Sequence, residues 1–336
     1  EDVRDIACTG TTDVQGVRCR AAFVLLTSGP DKDTVVTLET SVGPGAPELS
    51  EGDRIVVGFT PDLPEGAQYY FSDFQRGPPL VWLALLFAGA VVLLGRMRGV
   101  RALAGLAISL LVLLVFVLPS ILEGSSPIAV AVVGSSVILL ANLYLAHGFN
   151  LRTTTAVVGT LVSLALIGLL AVIFVAAAHF TGLGTEEATF LQAASSRINL
   201  KGLLLGGIII GSLGVLDDVT VTQSSAVWEL HQANPGLGPR RLYHSALRIG
   251  RDHIASTVNT LVLAYAGASL PLLILLVEAN QDVANVLTGE LVAVEIVRTL
   301  VGSIGLVASV PITTALAALV VSREEHAPAG VATEVP

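Results

Sequence analysis

Of the 336 residues, 53% are hydrophobic and only 13% charged, and the mean hydropathy of +0.77 is too high for a single soluble domain. The net charge of -9 is concentrated in residues 1–78, where 13 Asp and Glu stand against 6 Lys and Arg. It therefore describes a water-facing module, and its sign argues against nucleic acid as a partner.

Residues 1–78 read as a small β domain. Arg20-Ala-Ala-Phe-Val-Leu-Leu, Thr34-Val-Val-Thr-Leu-Glu-Thr and Arg54-Ile-Val-Val-Gly-Phe are short β-rich runs separated by Gly, Pro and Asp clusters. The only cysteines, Cys8 and Cys19, both fall here, and a disulfide closing a short loop is expected if the segment is exported. With no His and no second cysteine pair in this segment, a metal site is not expected there. An exported head also calls for a signal or signal-anchor helix ahead of Glu1, unless the first span itself carries the head across.

From Pro79 onward the chain is a series of apolar windows, and the lipid bilayer is its main partner. Seven membrane helices are predicted at 79–96, 101–121, 127–147, 153–180, 199–221, 253–278 and 293–321. Arg96, Arg98 and Arg101 follow the first, Arg152 the third, Arg240, Arg241 and Arg248 the fifth, and Arg323 the last, while alternate connections are nearly free of Lys and Arg. By the positive-inside rule, residues 1–78 lie outside the membrane and the tail at 323–336 lies in the cytoplasm.

The membrane region contains an echo. Gly211-Ser-Leu-Gly-Val-Leu-Asp-Asp-Val-Thr-Val-Thr-Gln-Ser-Ser-Ala226 aligns without gaps on Gly302-Ser-Ile-Gly-Leu-Val-Ala-Ser-Val-Pro-Ile-Thr-Thr-Ala-Leu-Ala317. Both copies cross from outside to inside in the topology above, so they would be related by an axis along the membrane normal. Gly211, Gly214 and Gly302, with Pro311, suggest broken helices whose backbone groups face a ligand. The competing reading is close helix packing of the small-xxx-small kind.

Ionisable groups in hydrocarbon are costly and suggest function. On a continuous helix Asp218, Thr222 and Ser225 share a face, and Asp217 lies about 100° away. In the sixth span Asp252, Asn259 and Thr260 line a face flanked by Arg251 and His253, and counting from the span ends puts Asp218 and Asp252 in the same half of the membrane. Three roles compete for this set: a cation or proton site, an anion site using Arg251 and broken-helix amides, and structure alone. Glu295 and Arg298, at i and i+3, are expected to form an intrahelical ion pair or an outer gate, and Thr313 lies at the second break. An intramembrane aspartyl protease needs two opposed aspartates sharing a proton, and no protease motif accompanies these. Nucleotide-loop, nucleophile-elbow and His-x-x-x-His patterns are also missing, so neither an enzyme nor a cofactor is expected.

Three ordered blocks carry a resemblance. They are Gly211-Ser-Leu-Gly with Asp217-Asp218-Val-Thr; Gly250-Arg251-Asp252-His253 with Thr257-Val-Asn259-Thr260; and Glu295-Ile-Val-Arg298 with Gly302-Ser-Ile-Gly and Pro311-Ile-Thr. Over roughly residues 80–322 the chain resembles the bacterial YibE/F-like multi-spanning membrane proteins. The resemblance implies their membrane topology and exported head, and transfers no activity. Members often carry one acid where this chain has Asp217-Asp218. The expectation is thus an all-α polytopic membrane protein with a β-rich extracytoplasmic head, acting as an ion- or proton-coupled transporter or exporter of a small solute or ion. A homo-oligomer is compatible with it. The alternative is a scaffold or receptor whose exported head binds a partner.

Overall fold

The computed structural model describes residues 2–7, 18–43, 45–61, 68–195, 197–278 and 282–324. The chain divides into two compact units, residues 1–90 and 91–336.

In the first unit β1 (Asp2–Ala7), β2 (Arg18–Leu25) and β3 (Val35–Val42) form an antiparallel sheet in the order β1-β2-β3. A second antiparallel pair joins β4 (Ile55–Phe59) to β5 (Tyr69–Phe74), with a register shift at Val56/Val57. Leu38 of β3 pairs with Ala22 of β2, and both are buried with Ala21, Leu26 and Leu49. The three expected β runs became β2, β3 and β4. β1 was missed because its charged residues leave no apolar run, and β5 because Ser72 and Asp73 interrupt its aromatic alternation. Cys19 lies in β2 opposite Ile6, whereas Cys8, and with it the expected disulfide, lies outside the described residues.

Two side-chain ties stiffen this unit. The Tyr69 hydroxyl donates to Asp31, which raises the Tyr69 pKa. Arg76 Nη1 donates to both Asp73 oxygens at 2.6 and 2.7 Å, and this bond holds the Asp73 carboxyl below its ordinary range. The Asp73 tie is therefore complete above the ordinary carboxylate range and is lost as pH falls through the lowered value.

The rest is helical. α1 (Gly77–Val112) continues through a π-helical turn at Leu113–Val117 into α2 (Leu118–Leu122). Then come α3 (Pro127–His147), α4 (Leu151–Ala177), α5 (Glu186–Ala194) and α6 (Leu200–Ala233). They are followed by α7 (Pro239–Ala268), α8 (Leu270–Glu278), α9 (Val283–Thr288) and α10 (Glu290–Glu324). Asn150 and Asn199 cap α4 and α6 by accepting from the backbone N–H groups of Thr153 and Gly202.

Among the described residues five helical stretches, not seven, are long and apolar enough to cross a bilayer: Gly77–Leu122, Pro127–His147, Leu151–Ala177, Leu200–Ala233 and Glu290–Arg323. The first absorbs two predicted spans. It is not straight, because Arg96 has φ 51° and ψ -133°, and the bend brings Gly99 against the carbonyl of Val91. The predicted sixth span falls on α7 and α8. Here the charges of Arg248, Arg251 and Asp252 lower the hydropathy, and the helix is interrupted at Ser269.

The expected broken helices are also corrected. α6 runs without interruption, and α10 continues through Pro311. Ser212, Thr220 and Thr314 donate to the carbonyls of Ile208, Leu216 and Val310, four residues back, at 2.7, 2.9 and 2.6 Å, which satisfies these hydroxyls inside an intact ladder. The glycines serve close approach instead. Gly206 lies against Pro127 and Ala131 of α3, Gly302 against Ser212, Gly305 against Ile167 and Gly159 against Thr313.

These contacts give the helix directions. On α10, Gly302 meets Ser212 of α6, Leu306 and Val310 pack with Val219, and Ala317 and Val321 pack with Val227. α6 and α10 therefore run parallel, in the register of the sequence echo. α4 runs antiparallel to both, as does α7, whose Leu261, Gly250 and Leu242 meet positions successively further along them. The offset that carries Gly211 to Gly302 also carries Gly159 to Gly250 and the end of α4, Ala177, to the end of α7, Ala268. The repeat is thus larger than the echo: α4 and α6 form one hairpin, α7 and α10 its counterpart. α4, α6 and α10 make the core around Ile167, Leu205, Ile208, Leu216 and Val301.

Candidate functional site

The repeat has two corresponding seams, α4 with α10 and α7 with α6. At the first, Gly305 receives the side chain of Ile167, which is fully buried. At the second, the counterpart of Gly305 is Gly214, and nothing lies within 4 Å of the position its Cβ would take. The first seam is sealed and the second is open.

Polar groups gather along the open one. Gly207, Gly211, Gly214, Asp218 and Thr222 recur at helical spacing along one face of α6, and all five are exposed. Ser225, half-buried, continues that face. Asp218 Oδ2 lies 3.8 Å from His253 Nε2 of α7, with side-chain exposures of 73% and 37%. That separation is too long for a hydrogen bond, and His253 Nε2 is enclosed with no hydrogen-bond partner. One end of the face is overhung by Tyr265, whose hydroxyl would be 3.6 Å from a Cβ on Gly211. In the sealed copy Asp218 is replaced by Ser309, which bonds the Leu306 carbonyl at 2.7 Å, and His253 by Val162. The Asp218–His253 pair thus belongs to the open seam.

Asp217 points elsewhere. Its neighbours one turn away, Leu213 and Val221, pack with Leu139 and Leu143 of α3 and Ala156 and Val157 of α4, so it lies on the α3–α4 side of α6. Its Oδ1 is enclosed without a hydrogen bond. The two adjacent acids therefore serve different environments. His253, rather than Asp252, meets Asp218. Arg251, Asp252, Asn259 and Thr260 are exposed on α7, and Thr260 Oγ1 donates to the Ser256 carbonyl at 3.0 Å.

Several hydroxyls and amides are structural fasteners. Thr160 and Thr220 hydroxyls meet at 2.7 Å between α4 and α6, and Ser224 Oγ donates to the Arg152 carbonyl at 2.9 Å. Gln223 Nε2 donates to the Ala246 carbonyl at 2.9 Å and pins α7 to α6 below the open stretch. Thr313 is fully buried against Gly159 with its hydroxyl unbonded. Because both helices are continuous, no broken-helix amides are available to an anion at Asp218.

The Glu295–Arg298 pair forms as its spacing predicts. Arg298 Nη1 donates to both Glu295 oxygens at 2.8 and 3.0 Å. The pair lines a cavity of about 370 Å³ between α10, α6 and the turn before α5. Sequence reasoning missed Tyr265, Gly207 and Gln223. Tyr265 sits one turn past the polar residues that drew attention, Gly207 reads as packing, and Gln223 carries no charge.

Among the described residues no group of three or more His, Cys, Asp and Glu is placed to hold a metal ion. The long apolar helices define a polytopic membrane protein. Residues 83–323 match the YibE/F-like protein family, and the chain belongs to that family. No curated protein and no solved structure matches it.

Proposed function

We propose that the protein is a secondary transporter or exporter, coupled to a cation or proton, whose coupling site is Asp218 in the open seam between α6 and α7. The observation that carries this reading is the Asp218–His253 pair beside Gly214, set against a repeat-related seam that is closed and uncharged. A carboxylate in a membrane helix needs a counter-charge or a proton. His253 and an incoming cation or proton compete for the same carboxylate, which gives the seam two states. Glycines above the acid leave room for passage, and Gln223 below it holds the hinge end together. Thr222 and Ser225 extend the polar face, while Asp252, Asn259 and Thr260 line the α7 surface that would meet solvent or solute.

Seven crossings fit this reading. Since α6 and α10 run parallel and both have the length of a span, the chain between them must return across the bilayer, and α7 with α8 is the segment that does so. The bend at Arg96 divides Gly77–Leu122 into two stretches, each of at least 19 residues. With Arg96, Arg98 and Arg101 on the cytoplasmic side, the β-rich head is extracytoplasmic and the C-terminus cytoplasmic. A Cys8–Cys19 disulfide in the head is part of the same reading, supported by their being the chain's only cysteines.

The test is thermal stability of the purified full chain against sodium, potassium, magnesium, calcium and manganese salts, across pH, for the parent and for Asp218→Asn. A ion that binds only the folded form stabilises it by about 2.7 kcal/mol at a hundred times its dissociation constant. One cation, or protons, should raise the parent's melting temperature, and Asp218→Asn should abolish the response. A response that survives in Asp218→Asn, or none in the parent, refutes the coupling site.

A further inference from the structure

The cavity at the Glu295–Arg298 pair has a chemistry of its own. Its walls are mostly aliphatic, from Leu113 and Val117 of the π-helical turn to Leu203, Leu204 and Ile210 of α6. Gly206 and Gly207 open its α6 side, and a Cβ on Gly207 would have open space for 4 Å. Into this apolar chamber projects one guanidinium. Glu295 uses both of its oxygens on Nη1 of Arg298, and the arginine side chain stays 28% exposed.

A permanently charged group that lines an apolar space is costly to maintain unless its donors are satisfied. Guanidinium presents its donors as a planar fork that matches a carboxylate or phosphate. An intrahelical partner three residues away satisfies one nitrogen of that fork and leaves the rest of the guanidinium for a second oxyanion.

We propose that this cavity binds an amphipathic oxyanion, a carboxylate or phosphate group carried on an apolar body, with the guanidinium of Arg298 holding the anion and the aliphatic walls holding the body. The volume suits a compact apolar tail rather than a bare inorganic ion. The cavity also lies at the head of the glycine face that leads through Gly207, Gly211 and Gly214 to Asp218. Its role as the substrate's entry site rests on the transport reading. Binding itself does not.

The experiment uses the full chain in nanodiscs of zwitterionic lipid, with dodecanoate as the probe. Dodecanol supplies the tail without the charge, and inorganic phosphate the charge without the tail. Dodecanoate should bind saturably and both controls at least tenfold more weakly. Arg298→Gln should weaken dodecanoate binding by about tenfold or more, the loss expected for one charge-assisted hydrogen bond. Gly207→Leu, which fills the chamber without touching the charge, should weaken it as well. Glu295→Gln, which keeps the arginine and removes its competing carboxylate, should bind as tightly as the parent or more so. Circular dichroism and melting temperature establish that each variant is folded. A second arm adds anionic phospholipid to the nanodiscs: competition that rises with its mole fraction identifies a lipid headgroup as the native oxyanion, and no competition identifies a free amphipathic acid.

Equal binding of dodecanoate to parent and Arg298→Gln, or equal binding of dodecanol and dodecanoate, overturns the site. Asp218→Asn separates the two proposals. If it leaves dodecanoate binding intact and its cation response is unchanged from the parent, the coupling reading fails while the oxyanion site stands.

Discussion

At the scale of the residue, glycine pairs carry the argument that one seam is open. Gly305 and Gly214 occupy the same place in the two copies, yet a methyl group added to each meets opposite surroundings. Gly305→Ala forces its Cβ into Ile167, which is fully buried and has little room to turn, and overpacking of this kind costs about 1–3 kcal/mol. Gly214→Ala meets nothing within 4 Å and gains helix stability of about 0.5–1 kcal/mol from the smaller backbone entropy loss. Melting temperatures in detergent should fall by several degrees for the first and hold or rise for the second. Two falls of equal size would mean that the second seam closes in solution. The acids were legible in the sequence as costly groups in hydrocarbon, and the helical wheel correctly separated Asp217 from Asp218. What the wheel cannot give is which neighbouring helix each face meets. Asp252 was favoured as the partner of Asp218, but its next-door residue His253 holds the matching angle on α7.

At the scale of the element, the long helices and their glycines were readable from apolar windows, and the unbroken course of α6 and α10 was not. Gly and Pro weaken a helix only where no neighbour supports it, and here α4 presses on α10 at Gly305 and at Thr313 on either side of Pro311. The parallel echo survives because it records packing register: its repeated glycines and small residues lie where two helices touch. The loop before α5 is held by a different device that leaves no periodic trace. Glu290, at the start of α10, accepts from the backbone N–H of Thr181 at 2.8 Å, the Thr181 hydroxyl at 3.0 and 2.9 Å and the backbone N–H of Gly182 at 2.8 Å. Gly182 sits at φ +83° with its Cα against the backbone of Leu200, a position that only glycine fills without strain. Glu290→Ala removes every one of these acceptors. Amide exchange over 181–185 should quicken by an order of magnitude or more, since bonds to a charged acceptor are worth about 1.5–3 kcal/mol each. Exchange unchanged from the parent would mean that the loop is held by its packing alone.

At the scale of the whole molecule, what composition announced was a membrane protein, and what it left open was how often the chain crosses. Hydropathy averages over a window and so discounts α7, whose charges are concentrated on an exposed face while its other side packs on α6 and α10. Direction supplies what hydropathy cannot. Two parallel spans in sequence require a crossing between them, and two antiparallel spans require none. In the seven-crossing reading Arg98 and Gly236 face the cytoplasm, while Glu123 and Asn285 face the outside. With Cys8 and Cys19 replaced by serine, single cysteines at these four positions should react with a membrane-impermeant maleimide in two groups. Glu123→Cys and Asn285→Cys should label in intact cells, and Arg98→Cys and Gly236→Cys only after the membrane is opened. Labelling of Gly236→Cys and Asn285→Cys from the same side would leave α7 and α8 lying along the membrane. The seam beside Asp218 would then open toward one face only, and a carboxylate with access to a single side cannot couple movement across the bilayer.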